Sequence, residues 1–396
     1  FINITDSLLT MNTELTILIP TFKRPILLER QLDYFDSLKV YDIKIHVLDS
    51  SPNEFKPKYE RVINFFQKKF EIEYHLLDDM IYTKKLFYGL NLVNTPFVVI
   101  TPDDDFLNIY SALECVYELK NKKDCSNATG EAIKIEYNSN RKYSTYYFKN
   151  EVSQTDDPIK RGWENCKKMS MGEITITVNN VWRTSDLFSV IKIISQHPYK
   201  KYTEYMLGYL SSYTGRTILL SSLMYLKPQD INRDEYRKTS IPKFVESHNE
   251  VYNNTVFQEE VKKYLASLYE IYKKKYETKD ENFLKSIFLQ QLFVSVFKLQ
   301  FVNEIKIFSY RSKIFNNNFI SYFLRKFKYF RTLKNLNRLI DLYNFYKFFG
   351  YKKTCEMINL DPDMKSNIFS LKNKRSPFSK DFKAMLVFLE KYDDLI

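Results

Sequence analysis

Residues 97–106 read Phe-Val-Val-Ile-Thr-Pro-Asp-Asp-Asp-Phe. An apolar run typical of a buried strand thus ends in the acidic cluster Asp103–Asp105. Carboxylates held close together repel one another, and a divalent cation between them removes that repulsion. Bound Mg²⁺ or Mn²⁺ keeps coordination positions open for phosphate oxygens. The stretch therefore predicts a metal–diphosphate site at the carboxyl edge of a sheet, with Asp103 and Asp105 as candidate metal ligands.

Earlier apolar runs end in acidic residues in the same way. The predicted strands cover 15–22, 43–48, 71–77 and 97–101, and helical spacing covers 25–38 and 81–93 between them. This alternation is typical of a parallel sheet wrapped by helices. Asp49 and the pair Asp78-Asp79 follow the second and third strands. Because parallel strands end at one edge of a sheet, we expect these acids and Asp103–Asp105 to surround one crevice.

The rest of the chain divides into two parts. The pattern predicts strands or a hairpin over 131–149, strands over 173–182 and 217–226, and a helix over 202–212. From residue 245 onward, apolar residues recur at helical spacing and proline is absent as far as Asp361. We therefore predict an α/β domain over 1–230 and a mostly helical region over 245–396.

Composition limits the class of protein. The chain has 396 residues and a net charge of +12, which favours acidic partners such as nucleotide phosphates, anionic lipid or nucleic acid. Its 4 cysteines form no CxxC pair, which indicates a reducing compartment. No apolar run reaches the roughly 18 residues that a membrane span needs. We predict a cytoplasmic protein.

The histidines argue against a zinc enzyme. They are His46, His75, His197 and His248, and none of them lies at the sequence spacing of zinc ligands. We therefore expect exposed imidazoles or imidazoles with hydrogen-bond partners in the core.

Four motifs carry a family resemblance. They are Ile-Pro-Thr-Phe-Lys-Arg at 19–24, Val-Leu-Asp-Ser-Ser at 47–51, Thr-Pro-Phe-Val-Val-Ile-Thr-Pro-Asp-Asp-Asp-Phe at 95–106 and Tyr-Thr-Glu-Tyr at 202–205. In this order and spacing they resemble family-two glycosyltransferases of the GT-A fold, over roughly residues 13–230. The aspartate motif is similar to that of a subgroup that builds bacterial surface polysaccharides. The resemblance implies a Rossmann-like, mostly parallel sheet in the N-terminal domain.

The resemblance also implies roles for single residues. It places Pro20, Thr21, Arg24, Asp49, Lys85, Asp103 and Asp104 at the nucleotide-sugar, the metal on Asp103 and Asp105, and the catalytic base at Glu204. The basic position falls on Lys84 or Lys85, each of which is also typical of a solvated helix face. The family's Glu-Asp and Gln-x-x-Arg-Trp signatures are missing, as is its glycine-bearing loop before the helix at 81–93.

The implied reaction is a metal-dependent sugar transfer. A nucleoside-diphosphate sugar is the donor, and the acceptor is a hydroxyl of a bacterial surface glycan, free or lipid-linked. Mn²⁺ or Mg²⁺ would neutralise the departing diphosphate, assisted by a basic residue such as Arg161, Arg183 or Arg233. Glu204 would take the acceptor proton, with Glu173 and Asp186 as alternatives. Attack from the opposite face inverts the anomeric carbon.

Two other functions remain open. A nucleotidyltransferase would use a related sheet, but the loop Thr21–Arg24 contains no glycine with which to cradle a triphosphate. A non-catalytic carbohydrate- or nucleic-acid-binding protein is the other alternative. Strongly salt-dependent binding to oligonucleotides would support a nucleic-acid-binding protein. Nucleic acid is the less favoured of the possible partners.

Residues 305–340 combine basic and aromatic side chains without a single acid. This composition suits peripheral docking on an anionic membrane face. It is more typical of helices whose aromatic stripe faces a core and whose basic face is solvated. A groove for single-stranded nucleic acid is a third interpretation.

Overall fold

The structure is a computed structural model. It describes residues 14–137, 144–148, 152–158, 161–162, 165, 179–196, 210–212, 214–230, and in the C-terminal segment 381, 384–385, 387–388 and 391–392. Every described residue belongs to a compact unit formed by Phe1–Leu292 and Pro377–Ile396. The second unit, Phe293–Ser376, lies outside the described residues, and so do Glu204, Glu173, Arg233 and the segment 305–340.

Parallel strands form the first half of the sheet. They are β1 (Leu15–Thr21), β2 (Lys44–Asp49), β3 (Glu71–Leu76) and β4 (Phe97–Ile100), which pair in the order β3-β2-β1-β4. Every pairing among them is parallel. The register sets Thr21 opposite Asp49, and Asp49 opposite Leu76. The predicted parallel arrangement and the shared carboxyl edge are confirmed.

Helices connect these strands and cover the sheet. They are α1 (Pro25–Ser37), α2 (Lys56–Phe66) and α3 (Tyr82–Leu92), with a 3₁₀ turn at Asn53–Phe55 ahead of α2. Proline at the first position of α1 suits a helix start, because its missing N–H has no intrahelical acceptor there. Each helix buries apolar side chains, among them Leu28, Val62 and Leu86. Their contact with the sheet forms the core of this half.

The strand order creates one crevice. From β1 the chain moves outward through β2 to β3, and it then returns to the other side of β1 as β4. Ligands of open α/β sheets bind outside the carboxyl ends of the strands at such a reversal point. The loop after β1 and the loop carrying Asp103–Asp105 after β4 both begin at this point.

The sheet continues as a mixed sheet beyond β4. The later elements are β5 (Phe106–Leu107), α4 (Ile109–Asn121), β6 (Cys125–Tyr137), β7 (Ser144–Phe148), β8 (Val181–Arg183), α5 (Thr184–Ile194) and β9 (Arg216–Asp230). The order is β4-β8-β6-β9-β5, with β7 paired to β6. The antiparallel β6–β7 pair confirms the predicted hairpin, and β9 confirms the strand predicted at 217–226.

Two predicted elements fall only partly within the described residues. Of the strand predicted over 173–182, the described part begins with Asn179 and Asn180, which precede the short strand β8. Of the helix predicted over 202–212, residues 210–212 are described and are helical. No helix among the described residues has both the length and the apolar character needed to cross a bilayer.

The described C-terminal residues pack on α1. The Phe388 and Tyr34 rings meet edge to face with their centroids 5.6 Å apart. The Tyr392 hydroxyl donates to the Asp33 carboxylate at 3.2 Å, and the Lys391 ammonium lies 2.5 Å from the same group. This part of the chain therefore covers the helix that follows β1.

Close packing at two glycines generates a stability prediction. A Cβ on Gly130 would lie 2.4 Å from the backbone oxygen of Ser222, whereas a Cβ on Gly89 would lie 2.5 Å from a terminal methyl carbon of Leu48. Backbone cannot move aside as a leucine side chain can. We expect Gly130→Ala to lower the free energy of unfolding by about 1–3 kcal/mol, and by more than Gly89→Ala. Urea denaturation measures both, with Lys84→Ala on the exposed face of α3 as the control. A Gly130→Ala protein as stable as the wild type would contradict the described β6–β9 contact.

Candidate functional site

Asp103 is the buried centre of the crevice. Its side chain has no exposed surface, and its Oδ2 accepts hydrogen bonds from Thr21 Oγ1 at 2.6 Å and from Arg24 Nε at 3.2 Å. Arg24 Nη2 lies 2.5 Å from Oδ1, an ion contact without an aligned hydrogen bond. The cation that faces this buried carboxylate is therefore an arginine of the neighbouring loop.

Arginines also hold Asp104. Arg24 Nη1 donates to Asp104 Oδ2 at 2.7 Å, so one guanidinium bridges two consecutive carboxylates. Arg30 Nη2 donates to the Asp104 carbonyl oxygen at 2.7 Å, and the Arg30 guanidinium lies 4.6 Å from the centre of the Phe106 ring. Arg24 is the N-cap residue of α1, and Arg30 lies on the same helix. The start of α1 thus neutralises the acidic loop.

Gln31 fixes the shape of that loop. Its side-chain nitrogen lies within hydrogen-bond distance of Thr101 Oγ1 at 3.0 Å, the Pro102 carbonyl at 3.1 Å and the Asp105 carbonyl at 3.2 Å. The residue is fully buried. A buried amide needs hydrogen-bond partners, and here those partners are the backbone of the acidic motif and the Thr101 hydroxyl.

Asp105 has different partners from its two neighbours. Its Oδ2 lies 3.3 Å from Lys227 Nζ and accepts from Asn179 Nδ2 at 3.4 Å. The Asn179 amide oxygen is buried and has no hydrogen-bond partner among the residues that the structure describes. Within the described part of the chain, Asp103–Asp105 do not bring three ligand oxygens within 4.8 Å of one another. The acidic run is therefore not one preformed three-carboxylate set.

The donor chemistry nevertheless fits a hard cation at Asp105. The Asn179 amide contacts Asp105 through its nitrogen, and carboxylate and amide oxygens are the ligand types that Mg²⁺ and Mn²⁺ take, with substrate phosphates completing such sites. Asp103 fits less well, because Arg24 contacts both of its oxygens and Thr21 donates to one of them, whereas Lys227 and Asn179 both contact Oδ2 of Asp105. Of the two metal ligands expected from the sequence, Asp105 therefore has the fewer of its oxygens in contact with described cations.

The end of β2 forms the second wall of the crevice. Asp49 is fully buried, and it accepts hydrogen bonds from Ser51 N at 2.8 Å, Ser51 Oγ at 2.5 Å and the Tyr74 hydroxyl at 2.8 Å. Ser51 Oγ in turn accepts from Lys23 N at 2.6 Å. Lys23 has φ of 56°, a left-handed conformation that is strained for a residue other than glycine. The Asp49 turn thus helps hold the loop after β1 in place.

A hydroxyl relay joins the first loop to Asp103. Thr21 donates its hydroxyl proton to Asp103, so the Tyr59 hydroxyl, 2.7 Å from Thr21 Oγ1, must donate to Thr21. The Tyr59 oxygen accepts from Arg24 N at 2.9 Å. The Tyr59 ring stacks on Tyr74, with centroids 6.1 Å apart, and Tyr74 donates to Asp49. One network therefore links the ends of the β1, β2 and β4 strands.

Lys85 is buried beneath the loop. Its ammonium donates to the Thr21 carbonyl and to Ser50 Oγ, each at 2.8 Å, and 3% of the residue is exposed. Lys84 is exposed. The structure thus distinguishes the two lysines and corrects the expectation of a solvated Lys85, because the carbonyl and hydroxyl partners compensate its burial.

Burial and neighbouring charges set the acidity of the cluster. Burial raises the pKa of Asp103 to about 6 against the opposing pull of Arg24. Burial likewise raises the pKa of Asp105 to about 6 against the pull of Lys227. Burial also disfavours the Asp104 anion, but Arg24 and Arg30 together hold the pKa of Asp104 below its ordinary value.

The structure brings together the residues that the sequence assigned to the nucleotide-sugar. Pro20 lies opposite Leu48 one residue before the end of β1, and Thr21, Arg24, Asp49, Lys85 and Asp103–Asp105 surround the crevice. Two of the later basic candidates donate to backbone carbonyls instead. Arg161 donates to the Ser212 and Thr155 carbonyls, and Arg183 donates to the Cys125 and Leu119 carbonyls. Asp186 is half-buried in the first turn of α5.

Sequence reasoning missed several side chains of this site. They are Arg30, Gln31, Ser51, Tyr59, Tyr74, Asn179 and Lys227. For Gln31 a signal existed, because it shares the buried stripe of α1 with Leu27, Leu28 and Phe35. A polar residue on a buried apolar stripe requires a hydrogen-bond partner. The loop that carries Asp103–Asp105 was a candidate for that partner.

Comparisons with known proteins show limited similarity. The chain matches no protein-family model and no curated protein. Residues 1–349 of S. aureus TarS in complex with UDP-GlcNAc share 13% identity over 66% of this chain and 71% of that chain, with a TM-score of 0.41. A 4-diphosphocytidyl-2C-methyl-D-erythritol synthase from Anaerococcus prevotii shares 9% over 62% and 98%, with a TM-score of 0.33. A CMP:2-keto-3-deoxy-manno-octonic acid synthetase complexed with CTP shares 14% over 54% and 91%, with a TM-score of 0.32.

The Arg24 bridge generates a prediction about stability. Replacing Arg24 by methionine leaves buried Asp103 without its cation, which should cost about 2–4 kcal/mol of unfolding free energy at pH 7. The loss should shrink toward pH 5, since Asp103 protonates as the pH falls through its raised pKa. Denaturant titrations of Arg24→Met, Asp103→Asn and the double variant measure the coupling. Additive effects at pH 7, or a loss independent of pH, would contradict the bridge.

Proposed function

We propose that this chain is a glycosyltransferase that moves a sugar from a nucleoside-diphosphate sugar to a hydroxyl of a bacterial surface glycan. One observation carries the proposal. Thr21, Arg24, Asp49 and the acidic motif meet at the point where the strand order reverses, which is where open α/β sheets bind their ligands. An anionic nucleotide requires cations and hydrogen-bonding groups in such a crevice, and this crevice holds both.

The nucleoside half of the donor would lie over β1 and β2. Asp49 Oδ2 accepts the Tyr74 hydroxyl and has a further lone pair for an N–H of the nucleobase, but because Asp49 is fully buried this contact requires a covering side chain such as Tyr74 to move aside. Pro20 and Thr21 would border the nucleotide from the neighbouring strand. Lys85 would support this wall through the Thr21 carbonyl.

The diphosphate half would lie against the acidic loop. Arg24 keeps 27% of its side chain exposed, and Asp103 and Asp104 orient its guanidinium. That guanidinium can stabilise the negative charge that builds on the departing diphosphate. We propose a divalent ion, Mn²⁺ or Mg²⁺, on Asp105 with the Asn179 amide oxygen, where it would supply further neutralisation of the same charge. Asp103 would coordinate this ion only if Arg24 moved away from the Asp103 carboxylate.

The acceptor side of the proposal depends on Glu204. A carboxylate must take the acceptor hydroxyl proton as the glycosidic bond forms, and Glu204 is our assignment, with Glu173 and Asp186 as alternatives. Attack opposite the leaving diphosphate inverts the anomeric centre. A lipid-linked acceptor would place the enzyme at the inner membrane face, with residues 305–340 as the docking segment.

Substituting the acidic motif tests the reaction. We expect Asp105→Asn to abolish Mn²⁺-dependent transfer from a panel of sugar nucleotides, and Asp103→Asn to weaken donor binding by at least roughly tenfold, because each loses a charge that organises the diphosphate. The control is Asp42→Asn, an exposed acid outside the crevice. Transfer assays and thermal shift with and without Mn²⁺ provide the measurements.

Two results would reject the proposal. If Asp105→Asn still transferred sugar at the wild-type rate in the presence of a chelator, a metal ion on Asp105 would be excluded from the mechanism. Release of pyrophosphate from a nucleoside triphosphate, with no sugar transfer, would indicate a nucleotidyltransferase instead.

The raised carboxyl pKa values predict a pH dependence. As the pH falls through about 6, Asp103 and Asp105 become protonated and lose the charge that orients Arg24 and attracts the metal. We expect the Mn²⁺-dependent affinity for the donor to fall about tenfold per pH unit for each required carboxylate below that point. Calorimetric titrations between pH 5 and 8 measure this dependence. A constant affinity across the range would show that neither carboxylate titrates in the binding step.

A further inference from the structure

A cluster of metal-ligating side chains lies on the outer strands of the sheet. The register pairs His46 of β2 with Glu73 of β3, and His75 follows two residues later on the same face. His46 Nδ1 lies 3.1 Å from His75 Nε2. Glu73 Oε2 lies 3.4 Å from His46 Nδ1 and 3.7 Å from His75 Nε2. Among the described residues this is the group of three that could hold an ion.

The spacing of these atoms suits zinc. Zinc binds imidazole nitrogen and carboxylate oxygen at about 2.0–2.2 Å, so the ligands of a tetrahedral site lie about 3.3 Å apart. The separations of 3.1, 3.4 and 3.7 Å bracket that value, and a circle through three such points has a radius of about 2.0 Å. An ion near the centre of the triangle is therefore at bonding distance from all three atoms.

The surroundings hold the ligands in place. Lys44 Nζ lies 3.0 Å from Glu73 Oε1, which leaves Oε2 on the imidazole side. The Tyr88 ring packs edge to face on His75 at 5.8 Å. Such outer contacts orient the ligands of metal sites. Side-chain exposure rises from 1% at His46 through 16% at His75 to 44% at Glu73, so solvent reaches one side of the cluster.

His46, His75 and Glu73 are in the protonation states that metal ligands need. Burial lowers the pKa of His46 to about 4 and also lowers the pKa of His75, so both rings are neutral at pH 7. The Lys44 hydrogen bond lowers the pKa of Glu73 and keeps it ionised. Metal binding at neutral pH then releases no proton, but the ring that donates in the His46–His75 hydrogen bond must transfer its N–H proton to its other ring nitrogen. A set of two nitrogens and one oxygen suits Zn²⁺, unlike the oxygen ligands at Asp105.

We propose that His46, Glu73 and His75 bind one Zn²⁺ ion between β2 and β3, with a water molecule as the fourth ligand. The ion would join the edge strand β3 to its neighbour. The proposal uses none of the crevice residues and does not depend on the proposed glycosyltransferase activity.

Metal uptake by the full chain tests this site. The chelator-stripped protein is incubated with Zn²⁺ or Co²⁺ and freed of excess metal by gel filtration. We expect the wild type to retain one Zn²⁺ per chain, to show the visible absorption of four-coordinate Co²⁺, and to gain thermal stability with Zn²⁺. His75→Gln and Glu73→Gln should bind at least roughly tenfold more weakly, since each lacks one ligand.

Two control variants show whether the retained ion lies on these three side chains. Glu71→Gln removes a second acid that contacts Lys44, at 3.3 Å, and should retain Zn²⁺ like the wild type. Asp105→Asn should also retain it, which distinguishes this site from the crevice. Absence of uptake by the wild type would overturn the proposal. Equal uptake by His75→Gln, Glu73→Gln and the wild type would overturn it as well, provided that their metal-free melting temperatures show them to be folded.

Discussion

The guanidinium of Arg24, held between the carboxylates of Asp103 and Asp104, is the interaction on which the site depends. A buried carboxylate without a cation would cost several kcal/mol, and its usual response is to take up a proton. Arg24 counteracts that tendency from the loop after β1. The first loop and the acidic loop are therefore one electrostatic unit, although Arg24 and Asp103 are 79 positions apart in the chain.

The rest of the crevice makes this unit rigid. Gln31 binds the backbone of the acidic loop, and the Tyr59–Thr21 relay connects that loop to β1. Lys85 ties β1 to the turn after β2. Groups that are held by packing and hydrogen bonds before a ligand arrives need little reorganisation when charge develops. The buried polar residues of α1 and α2 therefore serve the geometry of the site as well as the fold.

The carboxylates along this sheet have two kinds of neighbours. In the crevice the described cations in contact with Asp103 and Asp104 are arginines, and Lys227 faces Asp105. At the outer strands a glutamate faces two neutral imidazoles instead, and a lysine takes its second oxygen. The first arrangement is the basis of the proposed site for an anionic ligand and a hard ion, and the second is the basis of the proposed zinc site.

The sequence by itself determined the parallel sheet, the positions of its first four strands and the acidic crevice. Those features follow from local apolar periodicity and from the rule that parallel strands end at one edge. The tertiary structure decided which cation faces each aspartate, that Lys85 rather than Lys84 is buried, and that His46 and His75 are neighbours although they lie 29 positions apart in the chain. Strand register and side-chain direction fix these contacts, and both depend on long-range packing that no local pattern encodes.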